Sequence, residues 1–239
     1  MELHHPRSLD AAYQCLTSGA TPLGGGTLLL PAWQRDGYPE RAFSLREVPE
    51  ATTLGEGRLG AAVTLDRLVA VTTRALSQAA AALGTAPLRA QATVAGNLAG
   101  SGPRCLLPVL LALGARANVL TDQGLAQDSL SQALALGRTL VSLEWQEPQF
   151  SSYRKVRNGR SGLPSLAIAT ALHTGPGQSA HVHIAVWRDR KVFCEAFHTR
   201  GGIEQVLQDL RKTPLADFSP RDTDIIQAQI AEALAQEAP

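Results

Sequence analysis

Two short runs hold the residues whose types and spacing point to chemistry: Leu23-Gly24-Gly25-Gly26-Thr27-Leu28 and Ala92-Thr93-Val94-Ala95-Gly96-Asn97. Consecutive glycines lose much backbone freedom on folding, so they are kept where the chain turns sharply or something approaches the backbone closely. Successive N–H groups in such a turn form a concavity suited to a pyrophosphate. The same residues read equally well as a tight turn between two short apolar strands. The first run is not the usual dinucleotide fingerprint, which opens a helix and has an acid about twenty residues on. Here an apolar segment and Pro31 follow, and no Gly-Lys-Ser/Thr closes a P-loop. In the second run small residues would let a ligand near the backbone, and Thr93 and Asn97 could donate hydrogen bonds. Its plainer reading is a packed turn with a satisfied asparagine.

Other reactive side chains do not assemble in the sequence. Cys15, Cys105 and Cys194 are far apart and form no CxxC pair. A structural zinc or iron–sulfur site needs about four closely spaced ligands, so this chain alone carries no cysteine-ligated cluster. Wide, odd cysteine spacing also argues against a disulfide framework. His4, His5, His173, His181, His183 and His198 make no HExxH motif. His181 and His183 share a strand face, which reads as a solvated face before it reads as a metal site. Ser101 lies in Ala-Gly-Ser-Gly-Pro, not in a nucleophile elbow. The basic run Arg154–Arg160 reads as a solvated loop, most plainly at Arg157 and Arg160.

These runs need elements to hold them. Ser8 caps an expected helix with Leu9, Ala12, Tyr13 and Leu16 on one face and Gly19 as its stop. The segment at 20–30 reads as an extended piece, the glycine turn and a second apolar piece. Arg58–Leu65 reads as a strand, Asp66–Ala70 as the opening of a helix, and Ala75–Leu83 as more helix. Pro108–Leu113 is a buried helix, Ala117–Thr121 a strand, Ser129–Ala135 a short helix and Leu140–Trp145 a strand. Composition shifts at Trp145–Ser152. Leu166–Leu172 is a buried strand or helix, and Thr174–Ser179 a loop. Ala180–Trp187 and Lys191–Phe197 alternate polar and apolar residues, a hairpin joined at Arg188–Arg190. Helices at Gly202–Leu210 and Asp222–Ala235 close the chain.

The 239 residues, 44% of them hydrophobic, suffice for a sizeable core. A formal net charge of +1 gives no electrostatic case for nucleic acid. No basic segment followed by an apolar run marks a signal peptide, and the apolar stretch Leu106–Ala115 is too short for a membrane span. The expectation is a cytoplasmic protein.

Taken in order, PLGGGTLLLP, RLGAAVTLDRL and LRAQATVAGNLAGSGPRCLLPVLLALGA resemble the FAD-binding (medium) subunit of the molybdenum hydroxylases, as in carbon monoxide dehydrogenase and xanthine dehydrogenase. The opening HHPRSLDAAYQCL and the segment Tyr153-Arg154-Lys155-Val156-Arg157 are similar too. The resemblance covers about residues 3–172. It implies an α+β fold: a two-lobed FAD-binding domain of the type shared with vanillyl-alcohol oxidase-like flavoproteins, then a shortened C-terminal hairpin-plus-helices domain. The corresponding divisions are 1–172, with a small lobe to about 52, and 173–239. Leu23, Gly24, Gly25, Gly26, Thr27 and Leu28 would contact the FAD pyrophosphate. Ala92, Thr93, Gly96 and Asn97 would meet the pyrophosphate and ribityl side. Leu83 and Gly84 would lie near the cofactor, Leu140 by the adenine, and Lys155 beside the cofactor.

Two departures stand out. The first loop has Leu28 where the family has a polar residue. The family's acid before Leu-Leu-Pro is absent, the segment here being Gly102-Pro103-Arg104-Cys105-Leu106-Leu107-Pro108. What the resemblance implies is a flavoprotein oxidoreductase subunit. It would pass electrons from a two-iron–two-sulfur small subunit to an external acceptor, while a molybdopterin-containing large subunit oxidises the substrate. A family paralogue acting as a scaffold, its FAD site weakened or lost, is the alternative. A free-standing reductase similar to UDP-N-acetylenolpyruvylglucosamine reductase fits the second loop poorly.

Overall fold

The computed structural model describes residues 1–71, 73–100, 104–157, 164–174 and 180–236. Ser101, Arg160 and the expected loop at 175–179 lie outside the described residues. The chain begins with β1 (Glu2–His4), α1 (Leu9–Thr17), β2 (Thr21–Pro22), α2 (Leu29–Asp36) and β3 (Arg41–Phe43). The strands form a small parallel sheet in the order β1-β3-β2. Ser8 caps α1 by accepting the Ala11 amide, and Gly19 ends it at φ +81°.

A 3-10 turn and α3 (Pro49–Thr52) lead into β4 (Leu54–Gly55), β5 (Arg58–Gly60), α4 (Leu65–Leu68), α5 (Arg74–Ala81), α6 (Ala86–Gln91), α7 (Val94–Ala99) and α8 (Leu106–Ala112). Then come β6 (Arg116–Thr121), β7 (Gly124–Ser129), α9 (Leu130–Ala135) and β8 (Thr139–Glu144). The sheet of this second lobe runs β4-β5-β8-β6-β7. The small core of the first lobe, Ala12, Phe43, Leu45 and Val48, continues onto Leu120 and Val141 of that sheet. The two lobes therefore share apolar packing, which fixes their relative position.

The last layer comprises β9 (Phe150–Arg157), β10 (Pro164–Thr174), β11 (Ala180–Arg188), β12 (Lys191–His198), α10 (Gly202–Leu210) and α11 (Pro220–Leu234). Its antiparallel sheet has the order β12-β11-β10-β9. One face packs Leu166, Ile168, Val182 and Ile184 against α10 and α11. The other offers Ala167, Ala169, Ala171 and Ala185 to the core around α8. The β11–β12 turn puts Asp189 and Arg190 at φ +50° and +65°, the conformation a two-residue hairpin turn of matching twist requires. This sheet takes strands from both sides of residue 172, so the expected division at 172/173 cuts through a continuous ladder. No helix among the described residues is long and apolar enough to cross a membrane.

Several expectations need correction. The apolar piece after the glycine turn is helical: α2 begins at Leu29, with Pro31 in its first turn, where a missing N–H costs nothing. The strand expected to reach Leu65 ends at Gly60, where the chain turns and Val63 N donates to Gly60 O. β7 went unforeseen because an edge strand needs few apolar residues, and Gly124–Ser129 buries none fully.

Candidate functional site

The first glycine loop leaves β2 and enters α2. Leu23 N donates to Phe43 O at 2.7 Å, extending the parallel ladder to the loop's edge. The glycines are required by the neighbouring loop. A Cβ on Gly24 would lie 2.6 Å from Thr93 Oγ1, and one on Gly25 would collide with the Gln91 carbonyl. Gly26 needs glycine for another reason, its φ of +74°. What comes close to this backbone is thus, in part, the second loop itself.

The second loop is stapled to the chain after β5. Leu65 N donates to Ala92 O (2.9 Å), Val94 N to Val63 O (3.0 Å) and Ala95 N to Ala61 O (2.9 Å). Thr93 is fully buried and caps α7, its hydroxyl accepting the Gly96 amide at 3.2 Å. Asn97 Oδ1 accepts the Leu106 amide at 3.1 Å and so caps α8. Both side chains thus accept amides at helix ends, Thr93 at α7 and Asn97 at α8. Gly96 differs from Gly24 and Gly25. A Cβ there would meet only Thr93 Oγ1, at 3.2 Å.

Between the loops lies a cavity of about 360 Å³. Leu23, Gly24, Gly25, Gly26, Thr27 and Leu28 line it, with Thr93, Gly96 and Leu140 opposite. Phe43, Leu45, Ala61 and Ala62 supply apolar wall. Among the described residues no acceptor takes any amide from Gly24 to Leu28. These free N–H groups run into the first turn of α2, whose end no side chain caps. Unpaired donors at a helix start favour an anion.

Three polar residues at this cavity escaped sequence reading. Ser44 is 3% exposed, and its Oγ has no hydrogen-bond partner among the described residues. Arg138 is half-buried, its Nε likewise unpartnered. Arg46 also lines the wall, one guanidinium nitrogen donating to Gln91 O at 3.3 Å. No motif marks them: Ser44 and Arg46 flank Leu45 in the first lobe, and Arg138, over ninety residues on, joins them only when the lobes pack. The free amides and the unpaired guanidinium suit a pyrophosphate, and the apolar walls suit an aromatic ring, so the residues present fit a dinucleotide.

Other expected residues lie elsewhere. Ala92 and Asn97 underpin the second loop without lining the cavity. Leu83, Gly84 and Lys155 gather at the C-terminus of α5. There Lys155 Nζ donates to Ala82 O at 2.9 Å, and Arg89 donates to the Leu83 and Gly84 carbonyls at 3.1 Å each. Cys105, in the place of the family's acid, is buried against Tyr153, whose phenol is pushed above its ordinary range by burial and by that thiol. Arg104 turns its Nε to Gly100 O at 3.0 Å. No group of His, Cys, Asp or Glu among the described residues could hold a metal ion.

Residues 1–144 match the family model described as the FAD binding domain in molybdopterin dehydrogenase. Solved structures agree in fold along the whole chain. Reconstituted CO dehydrogenase from Oligotropha carboxidovorans superposes with a TM-score of 0.72 at 18% identity, covering 100% of this chain and 98% of that one. Quinoline 2-oxidoreductase from Pseudomonas putida 86 gives 0.69 at 19%, covering 99% and 96%. CO dehydrogenase from Hydrogenophaga pseudoflava lacking the Mo-pyranopterin moiety gives 0.71 at 17%, covering 100% and 98%. A search of curated proteins returns no match. The α+β fold is thus the two-lobed flavoprotein type, and the chain belongs to the family of FAD-binding domains of molybdopterin dehydrogenases, an oxidoreductase flavoprotein family whose cofactor is FAD.

Proposed function

We propose that this chain is the FAD-carrying electron-transfer subunit of a multi-subunit molybdopterin dehydrogenase. The observation that carries the reading is the run of free amides from Gly24 to Leu28, facing an apolar-walled cavity between two packed lobes. In this reading those amides hold the pyrophosphate, with Thr93 and Gly96 closing over it and Leu140 against the adenine. Ala92 and Asn97 set the shape of the second loop. Leu83, Gly84 and Lys155, outside this cavity, belong to the flavin end. Bound FAD would supply the redox chemistry, accepting electrons and releasing them to an external acceptor. The protein's part is to bind, orient and exclude water. A partner with a two-iron–two-sulfur cluster would deliver the electrons, and a molybdopterin subunit would oxidise the substrate. The lack of a cysteine-ligated cluster motif in this chain supports a need for such partners. Sheet continuity supports drawing the C-terminal unit from about Phe150 onward.

The scaffold reading draws on Cys105 and Leu28, which remove two polar contacts of the family pattern. Backbone donors survive such changes, which favours retention of FAD. The test is to purify the chain, add excess FAD, remove the unbound fraction and record the spectrum. Flavin bands near about 370 and about 450 nm should remain with the protein. Their absence under saturating FAD would overturn the reading and favour the scaffold.

A further inference from the structure

No motif marks Arg138, yet its place is closely defined. It follows a glycine stop: Gly137, at φ +62°, ends α9, with Gly137 N donating to Leu134 O and Arg138 N to Ala133 O at 2.9 Å. These paired bonds fix the backbone of Arg138, and β8 begins at the next residue. The side chain lines the cavity, is half-buried, and meets neither an acid nor a carbonyl among the described residues. Its Nε is buried without a partner among the described residues, and an anion in the cavity would give the guanidinium a charge-assisted one. Ser44 presents a similar case. It stands at the N-cap of a 3-10 turn but caps nothing, and its buried Oγ has no partner among the described residues. A buried hydroxyl left unpaired is expensive, and a ligand acceptor beside it would satisfy it.

We infer that Arg138 is a phosphate-binding cation of this pocket and Ser44 a neutral donor beside it, together making the cavity a site for the adenosine diphosphate half of the cofactor. This inference rests on the FAD reading and deepens it. Recognition then resides in the adenosine diphosphate end, where free amides and Arg138 face one cavity. The flavin end, where the family's acid is replaced by buried Cys105, contributes less. ADP alone should therefore compete with FAD, and uncharged adenosine should compete poorly.

Binding of FAD, ADP and adenosine to the full chain can be followed by calorimetry at low and high salt. Wild type should bind FAD and ADP, both weakening as salt screens the phosphates. Arg138→Met should weaken both by about tenfold to a hundredfold and flatten the salt dependence, leaving adenosine unchanged. Arg138→Lys should recover part of the affinity and all of the salt dependence, which guards against a merely misfolded variant. Ser44→Ala should weaken FAD severalfold without altering the salt dependence. If wild type binds FAD while Arg138→Met binds FAD and ADP equally well with the same salt dependence, the assignment of Arg138 is wrong and the FAD reading stands. If wild type binds neither FAD nor ADP, both fall.

Discussion

At the scale of single residues, the glycines of the two loops do different jobs, and substitution should separate them. Gly25→Ala drives a methyl into the Gln91 carbonyl, backbone that cannot step aside, so it should cost about 1–3 kcal/mol as overpacking does and abolish FAD binding as the loops part. Gly96→Ala meets only a hydroxyl at 3.2 Å and lies inside α7, where alanine is the better helix former by about 1 kcal/mol. Its melting temperature should hold or rise while FAD affinity falls, because the new methyl stands in the cavity. Equal losses of stability in the two variants, read by thermal melts beside FAD titrations, would show that crowding between loops is not what sets them apart. Asn97 belongs to the structural side of the site. Asn97→Ala removes the cap on α8 and should lower stability by about 1 kcal/mol, detectable by denaturant unfolding without any cofactor.

At the scale of elements, the C-terminal end of α8 meets a face of the last sheet made of histidines. His173 approaches the Ala112 carbonyl at 3.1 Å, and its ring lies 4.7 Å from that of His183. The His181 and His198 rings are 4.2 Å apart on the same face. Burial, then the neighbouring His173, brings His183 down to about 4, and burial also lowers His173. Both stay neutral in the folded protein while the unfolded chain takes protons near about 6.5. Stability from His173 and His183 is therefore complete above about pH 6.5 and is lost as pH falls toward 4. Melting temperatures measured from pH 7 to 4.5 should decline, and His183→Gln should flatten that decline. An unchanged slope would mean that other groups titrate. The same layer shows how a small-residue sheet face, Ala167, Ala169, Ala171 and Ala185, lets α8 sit close, which in turn fixes Leu106 where Asn97 can cap it.

At the scale of the molecule, the cavity takes residues from both lobes, Gly24 to Leu28 and Ser44 from one and Thr93, Gly96 and Arg138 from the other. A ligand filling it ties the lobes together and stabilises the folded chain by mass action, about 2.7 kcal/mol at a hundredfold excess over Kd. FAD should raise the melting temperature accordingly, and ADP should produce much of the same rise. The rise should shrink in Arg138→Met at the same ligand concentration. A cofactor-induced rise identical in that variant would count against a bridging role for Arg138.

The sequence by itself determined what depends on neighbouring residues. The Ser8 cap, the Gly19 stop, the β11–β12 hairpin and α10 were legible because caps, turns and periodicity are local. The order of the two glycine loops and the segments around them also sufficed for the family. The structure alone decided what depends on packing between distant segments. Nothing local tells that Gly25 is reserved for the Gln91 carbonyl, that Thr93 and Asn97 serve helix ends, or that a sheet would run across residue 172. The glycine loops could be proposed as a pyrophosphate cradle from sequence because backbone donors need only a turn. Arg138 and Ser44 could not, because they become candidates only when the fold brings both residues to the same cavity.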